Sequence, residues 1–511
     1  MKKSSLLFVL ITFILSACSS PGDINPRSLV PDECSYLDNI EDWQPVWCDE
    51  FDEDGLPDAT RWGYDVGGGG WGNQELQLYT RENLNNVFIE DGILHIRALA
   101  EQTGSNPYTS ARLVTKYRGD WLYGRIQVRA QMPSGRGVWP AIWMLPTNWV
   151  YGDWPASGEI DIMEYVGYDP GIVHGTIHTG AFNHMINTQI GFTQRVPTVE
   201  DAFHVYEMIW EPGMIELFID GERFARFGFN PDTTINIPNS DAWPFDDPFH
   251  LILNLAIGGT WGGLRGVDPS IFPATMKVDY VRVFQKDYQA LSQTPPSPVT
   301  SPVVQRSTFN SVRFKWNRVA DEMVSHYNIY VNNEFYGKTT VNAFTVNRLS
   351  PDTEFNIEIE AENFNQQTSP RVSLTAFTEP VRSIETRIQA QAYDDMRGIR
   401  TEVTEDSSGQ LNVGWIESGD YLEYQLEVKE AGTYTITYRV ASLNGGGRIA
   451  LLTRSRFPHT VTDIPRTGGW QNWTSVTSEA FDLPAGIFTF RIRADQGGFN
   501  LNYFDFTRVD E

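Results

Sequence analysis

The chain has 511 residues, with 65 acidic against 39 basic side chains and a formal net charge of −26. That length exceeds one ordinary domain and predicts about three, while the charge excludes nucleic acid and other polyanions as partners. Forty-three Gly, 29 Pro and 13% aromatic residues, with no long amphipathic run, predict an all-β chain of short strands and turns.

The chain opens with "MKKSSLLFVLITFILSACSS", two lysines ahead of the apolar stretch Leu6–Leu15. That stretch is too short to span a bilayer comfortably and has the layout of an export signal. Its end, "LSAC", resembles the lipobox of bacterial lipoproteins. The resemblance implies a signal peptide over residues 1–17, diacylation of Cys18 and a lipid-anchored tether over 18–33. With Ser19 next, it implies an outer-membrane or cell-surface lipoprotein of a Gram-negative bacterium, attached by acyl chains alone. The competing reading is an ordinary signal peptide that contains a cysteine. Cys34 and Cys48 then remain in an exported chain, where a disulfide between them can persist; two buried free thiols are the alternative.

Over residues 34–286, alternating runs such as "NNVFIEDGILHIRA", "YGRIQVRAQM" and "MIELFIDGERFARF" are separated by Gly, Asp and Pro turns. They predict an antiparallel β-sandwich of two sheets. Within it, "SGEIDIMEYVG" places Glu159, Asp161 and Glu164 among residues that otherwise ask for burial. Such spacing arises by chance in an acidic chain, so its setting decides. In a regular strand Glu159 and Glu164 point to opposite faces. One extra residue between Asp161 and Glu164, as a β-bulge, restores the parity. All three carboxylates then share a groove, while Ile160, Ile162 and Met163 face the core. Two carboxylates across a sugar are what a retaining glycosidase needs, one ionised to attack and one protonated to release the leaving oxygen. A third between them helps to pull their pKa values apart.

Upstream, "GVWPAIWMLP" supplies Trp139 and Trp143, whose indole faces can stack on pyranose rings; core tryptophans are the competing reading. "GGGGWGNQELQLYT" gives a glycine-rich loop with Trp71 and Asn73, and "VHGTIHTGAFNH" brings His174, His178 and His184. No H-E-x-x-H or Cys/His cluster accompanies them, which argues against a catalytic transition metal. Together "GEIDIMEYVG", "WPAIWMLP", "WGNQELQLYT", "VHGTIHTG" and "FHLILNLAIGGTWGG" resemble glycoside hydrolase family 16 in its laminarinase-like branch. The resemblance implies a β-jelly roll with Glu159 as nucleophile, Asp161 as its assistant and Glu164 as general acid/base. It makes Asn73, Trp139, Trp143, His178 and Trp261 sugar contacts. It also implies a structural calcium on the convex side, at Glu50, Gly92 and Asp279, for which oxygen ligands are suitable. The six-residue E-x-D-x-x-E form is shared by laminarinases and agarases of the family, whereas its lichenases typically lack the extra residue. "VHGTIHTG" with "WGNQELQ" favours laminarinase.

A Pro/Ser/Thr-rich linker is predicted over 287–302. Residues 303–380 resemble a fibronectin type III module, which implies a small sandwich with Trp316 in its core and a spacing role; Phe355 stands where that family usually has Tyr. Residues 381–511, with "NVGWIESGDYLEY", "YRVASLNGGG", "TGGWQNW" and "GGFNLNYF", resemble carbohydrate-binding module family 6. That resemblance implies a jelly-roll sandwich and a sugar site of Trp415, Trp470, Glu402 and Asn500, with Tyr421 on a second, concave face. Gln391, where the family often has a calcium-binding Glu, makes calcium there doubtful.

The reading is therefore a monomeric, retaining endo-β-1,3-glucanase that needs no cofactor for catalysis and carries its own polysaccharide anchor. A β-1,3-1,4-glucanase and, further off, an agarase are the enzyme alternatives. A β-glucan-binding protein on a lapsed hydrolase scaffold is the non-enzyme one, disfavoured because Glu159 and Glu164 are both present.

Overall fold

A computed structural model describes residues 34–320, 323–406, 411–453 and 457–509. The signal peptide, Cys18 and the tether lie outside the described residues. Among the described residues no helix is long and apolar enough to cross a membrane. Nearly all regular structure is strand, as the turn-rich composition requires.

The chain divides into two compact units. The first comprises residues 34–303, 314–344 and 358–373; the second comprises 304–313, 345–357 and 374–509. In the first, two eight-stranded sheets pack around one core. One sheet runs in the order Glu222–Gly228, Met214–Ile219, His204–Glu211, Gly124–Gln131, Ala274–Lys286, Ile93–Ala98, Val87–Glu90, with Trp43–Asp49 also on Ala274–Lys286. The other runs Ile190–Arg195, Ile172–His178, Glu159–Tyr165, Val138–Pro146, Phe249–Ile257, Arg112–Val114, Gly63–Tyr64, with Asp120–Trp121 also on Phe249–Ile257.

Phe249–Ile257 lies between Val138–Pro146 and Arg112–Val114. All nine of its residues are buried, because Leu251, Leu253, Leu255 and Ile257 enter the core while His250, Asn254 and Ala256 alternate to the other face. Cys34 and Cys48 are joined by a disulfide.

Strands between Thr300 and Phe377 form a three-stranded and a four-stranded sheet. Trp316 is buried there, edge-on to Tyr327 at 5.1 Å, and Phe355 is buried too. From Arg382 to Arg508 a six-stranded and a seven-stranded sheet enclose a separate core that includes Tyr424, Tyr438, Phe490 and Phe504.

Candidate active site

Glu159–Tyr165 lies between Val138–Pro146 and Ile172–His178. Against the latter, Asp161 pairs with Thr176 and the next pair is Glu164 with His174. Two residues intervene on one strand and one on the other, which is a β-bulge. The extra residue brings the carboxylates of Glu159, Asp161 and Glu164 to one face. Ile160, Ile162 and Met163 go into the core with at most 1% exposure, where each contributes roughly 1.5–3 kcal/mol of apolar burial. That packing holds the charged face in place.

The register fixes each carboxylate's neighbours. Glu159 is directly opposite His178, and Asp161 directly opposite Trp143. His178 Nε2 lies 3.7 Å from Glu159 Oε1 and 3.4 Å from Asp161 Oδ2. His178 is 6% exposed and faces two of the three carboxylates. Trp154 Nε1 donates to Glu159 Oε2 and Trp139 Nε1 donates to Glu164 Oε1, both at 3.0 Å.

Burial pushes the Glu159 and Glu164 carboxyls up to about 8, and negative charge on Asp161 adds to the rise in both. Asp161 also rises to about 8, through burial; its Oδ2 receives no hydrogen bond. The three carboxyls titrate as one cluster. Both glutamates accept an indole N–H, and of the two it is Glu159 that also has the His178 imidazole within 4 Å, which makes it the better placed of that pair to ionise. Glu164 can then hold its proton as an acid. One ionised and one protonated carboxyl on a shared face can perform glycosyl transfer through a covalent ester. Among the described residues, Glu159, Asp161 and His178 are also the only cluster with metal-ligand geometry.

Aromatic rings line the same sheet. Trp261 stands edge-on to Trp139 at 5.3 Å and to His174 at 4.8 Å. Trp143 Nε1 donates to Asn254 Oδ1 at 2.7 Å, and Asn254 Nδ2 donates to the Tyr79 hydroxyl at 3.0 Å. Tyr79 in turn donates to Glu75 Oε2 at 3.4 Å; Gln77 donates to the same oxygen at 2.6 Å, and Asn73 to Oε1 at 3.4 Å. Asn73 thus belongs to a network that reaches Trp143. The Arg112 guanidinium lies over both Trp71, at 4.9 Å, and Trp143, at 4.7 Å, and its Nε is 3.0 Å from Asp65.

Sequence reasoning missed Trp154, Glu75, Tyr79, Arg112 and Asn254. The alternation of Glu75, Gln77 and Tyr79 in "ELQLY" was a usable signal for a polar face.

In the second unit, Glu402 Oε1 accepts from Asn500 at 2.8 Å, Gln471 at 3.0 Å and Asn412 at 3.1 Å. Trp415 and Trp470 are 54% and 44% exposed, and Asn500 Nδ2 also donates to the Trp470 carbonyl. Gln471 and Asn412 were not foreseen. Tyr421 lies beneath the Arg491 guanidinium at 4.2 Å.

The calcium positions are differently engaged. Both Glu50 oxygens accept from Arg282, at 2.8 and 2.7 Å, and Asp279 pairs with Arg129. Gly92 lies in the tight turn joining Val87–Glu90 to Ile93–Ala98. With both carboxylates held by guanidinium groups, the three residues do not form a six- to eight-oxygen calcium cage.

A family profile described as glycosyl hydrolases family 16 matches residues 72–282, and one for carbohydrate binding module (family 6) matches 389–508. A beta-glucanase of Rhodothermus marinus is 54% identical over 261 residues, which is 49% of this chain and 90% of that protein. Glucan endo-1,3-beta-glucosidase A1 of Niallia circulans is 41% identical over 297 residues, covering 55% of this chain and 43% of that one. The solved structure of the Rhodothermus marinus laminarinase aligns with 48% of this chain and 98% of its own at a TM-score of 0.46, with 54% identity.

Proposed function

Because the chain belongs to glycosyl hydrolases family 16, we propose that it is a retaining endo-β-1,3-glucanase acting on laminarin-like β-glucans. The observation that carries this is the bulge that turns Glu159, Asp161 and Glu164 onto one tryptophan-lined face. Glu159 attacks the anomeric carbon while the Glu164 proton passes to the glycosidic oxygen. The bond to the leaving sugar breaks and a glycosyl ester forms on Glu159. Water then gives a proton to Glu164 and attacks the same carbon, freeing the Glu159 carboxylate and a product of unchanged configuration. The names of the glucan-cleaving relatives support the substrate class.

The test is product analysis on laminarin, barley mixed-linkage glucan and agarose, alongside a Trp415→Ala/Trp470→Ala variant. Oligosaccharides of mixed length from laminarin are the expected result. The double variant should turn over short soluble oligosaccharides normally but lose retention on insoluble β-glucan, since tethering acts through effective concentration. Cleavage confined to barley glucan or agarose would move the substrate assignment. No hydrolysis, with laminarin still bound, would favour a glucan-binding protein.

The boundaries 34–286, 287–302, 303–380 and 381–511 belong to the same proposal, with the third segment a fibronectin type III-like module; buried Trp316 supports it. A monomeric state and an outer-membrane or cell-surface location by a lipid on Cys18 are also part of the proposal. Palmitate incorporation that Cys18→Ser abolishes is the check on the anchor; unchanged labelling would contradict it. A structural calcium at Glu50, Gly92 and Asp279 would have to displace Arg282 and Arg129. A chelator is therefore expected to leave the melting midpoint unchanged, whereas a fall of several degrees would restore the calcium assignment.

A further inference from the structure

Two loops wall the Glu159 end of the site, and both rest on one short segment. The loop 149–158 carries Trp154, the donor to Glu159. Its Tyr151 hydroxyl donates to Asp246 Oδ1 at 2.8 Å. Its Gly158 backs so closely on Pro244 and Phe245 that a Cβ would stand 2.9 Å from each, at a backbone φ of 88° that itself favours glycine. The loop 179–187 carries His184, whose ring lies 4.9 Å from Trp154 and 5.1 Å from His178. Ala181 N donates to the Asp241 carbonyl at 2.8 Å. Residues 239–246 are thus a common footing for both loops.

The other side of that footing is gripped by residues 339–343, which follow in sequence long after the catalytic strands end. Asn239 Nδ2 donates to the Ala343 carbonyl at 2.7 Å and lies 3.4 Å from Thr339 Oγ1. Thr340 Oγ1 donates to Asp246 Oδ2 at 3.4 Å. Val341 is 4% exposed and belongs to the same core cluster as the catalytic strands. Nearby, the Arg318 guanidinium donates to the Pro212 carbonyl. All of these residues belong to the same compact unit as the cleft.

The geometry points to residues 339–343 of the small β module as part of the active site's support, with Asp246 and Asn239 as positioning residues that act through Trp154 on Glu159. The module then does more than space two sugar-binding parts. Asp246 accepts one hydroxyl from the wall and one from the module, so removing its carboxyl leaves a Tyr151 hydroxyl unpaired and the loop free to shift. A shift of about 1 Å remote from the chemistry can cost on the order of a hundredfold in rate.

The inference rests on Glu159 acting as the proposed nucleophile. Its test uses the full chain and a soluble β-1,3-linked gluco-oligosaccharide, comparing Asp246→Ala, Asp246→Asn and Thr340→Val with the parent. Asp246→Ala is expected to lower kcat about tenfold with KM little changed, since orientation and not substrate grip is lost. Asp246→Asn should recover most of that rate. Thr340→Val, which lies wholly in the small module, should lower kcat in the same direction. Variants all within twofold of an active parent would overturn the inference while leaving the proposed function standing. So would a loss in Asp246→Ala that follows its melting midpoint and is not restored by Asn.

Discussion

Glu159→Ala is expected to abolish glucan hydrolysis, lowering kcat on the order of 10⁵–10⁶-fold, as when a covalent nucleophile is removed from an otherwise intact site. The neighbours predict that folding survives. Ile160, Ile162 and Met163 supply the apolar side of the strand, and removing Glu159 relieves a cluster of three carboxyls that burial already disfavours as anions. The vacated space can admit a small anion. With an activated aryl β-glycoside, azide should enter from that face and give the α-glycosyl azide. A Glu159→Ala variant that keeps activity within a hundredfold of the parent would remove Glu159 from the nucleophile's role.

Glu164→Gln is expected to lower kcat on laminarin by about 10²–10⁴-fold, the usual range for a lost general acid/base. On an aryl glycoside whose leaving group needs no proton, the first step stays fast and the glycosyl-enzyme accumulates as a burst. The pH profile gives an independent reading. Burial pushes the Glu164 carboxyl up to about 8, so the acid form is present below that pH and is lost as pH rises through it. Activity should therefore fall on the alkaline side near pH 8, and Glu164→Gln should lack that limb. Trp139 favours the ionised form by donating to Oε1, so Trp139→Phe should move the limb to higher pH. An unchanged alkaline limb in Glu164→Gln would assign the acid elsewhere.

The catalytic face was legible because parity is a local property. Three acids and three apolar residues in one strand could be reconciled only by an extra residue, and the bulge lies where that reasoning put it. His178 was legible as a residue near the cleft but not as a carboxylate partner. Its placement opposite Glu159 depends on the pairing of two strands, and a slip of one residue would turn it to the other face. Trp154 lies in a loop whose path depends on Tyr151, Asp246 and Gly158, contacts that no local pattern encodes. Arg112 comes between Trp71 and Trp143 only after Arg112–Val114 pairs with Phe249–Ile257 in the cleft sheet. The small module was expected to act as a spacer. The contacts between residues 339–343 and residues 239–246, all within the first unit, are made by single polar side chains, Asn239 and Thr340 among them, which carry no periodicity.

In the second unit Trp415 and Trp470 were legible only through the resemblance to carbohydrate-binding module family 6. Gln471 and Asn412 were not legible, since amides are common on any surface. Their role becomes visible only where both donate to Glu402.

The most direct measurement is mass spectrometry of the full chain after reaction with an activated 2-deoxy-2-fluoro β-1,3-linked glucobioside, which slows ester hydrolysis more than ester formation. The account predicts one added glycosyl group, located on Glu159 in the peptide spanning the bulged strand. Turnover without any adduct, or an adduct on Asp161 or Glu164, would contradict it.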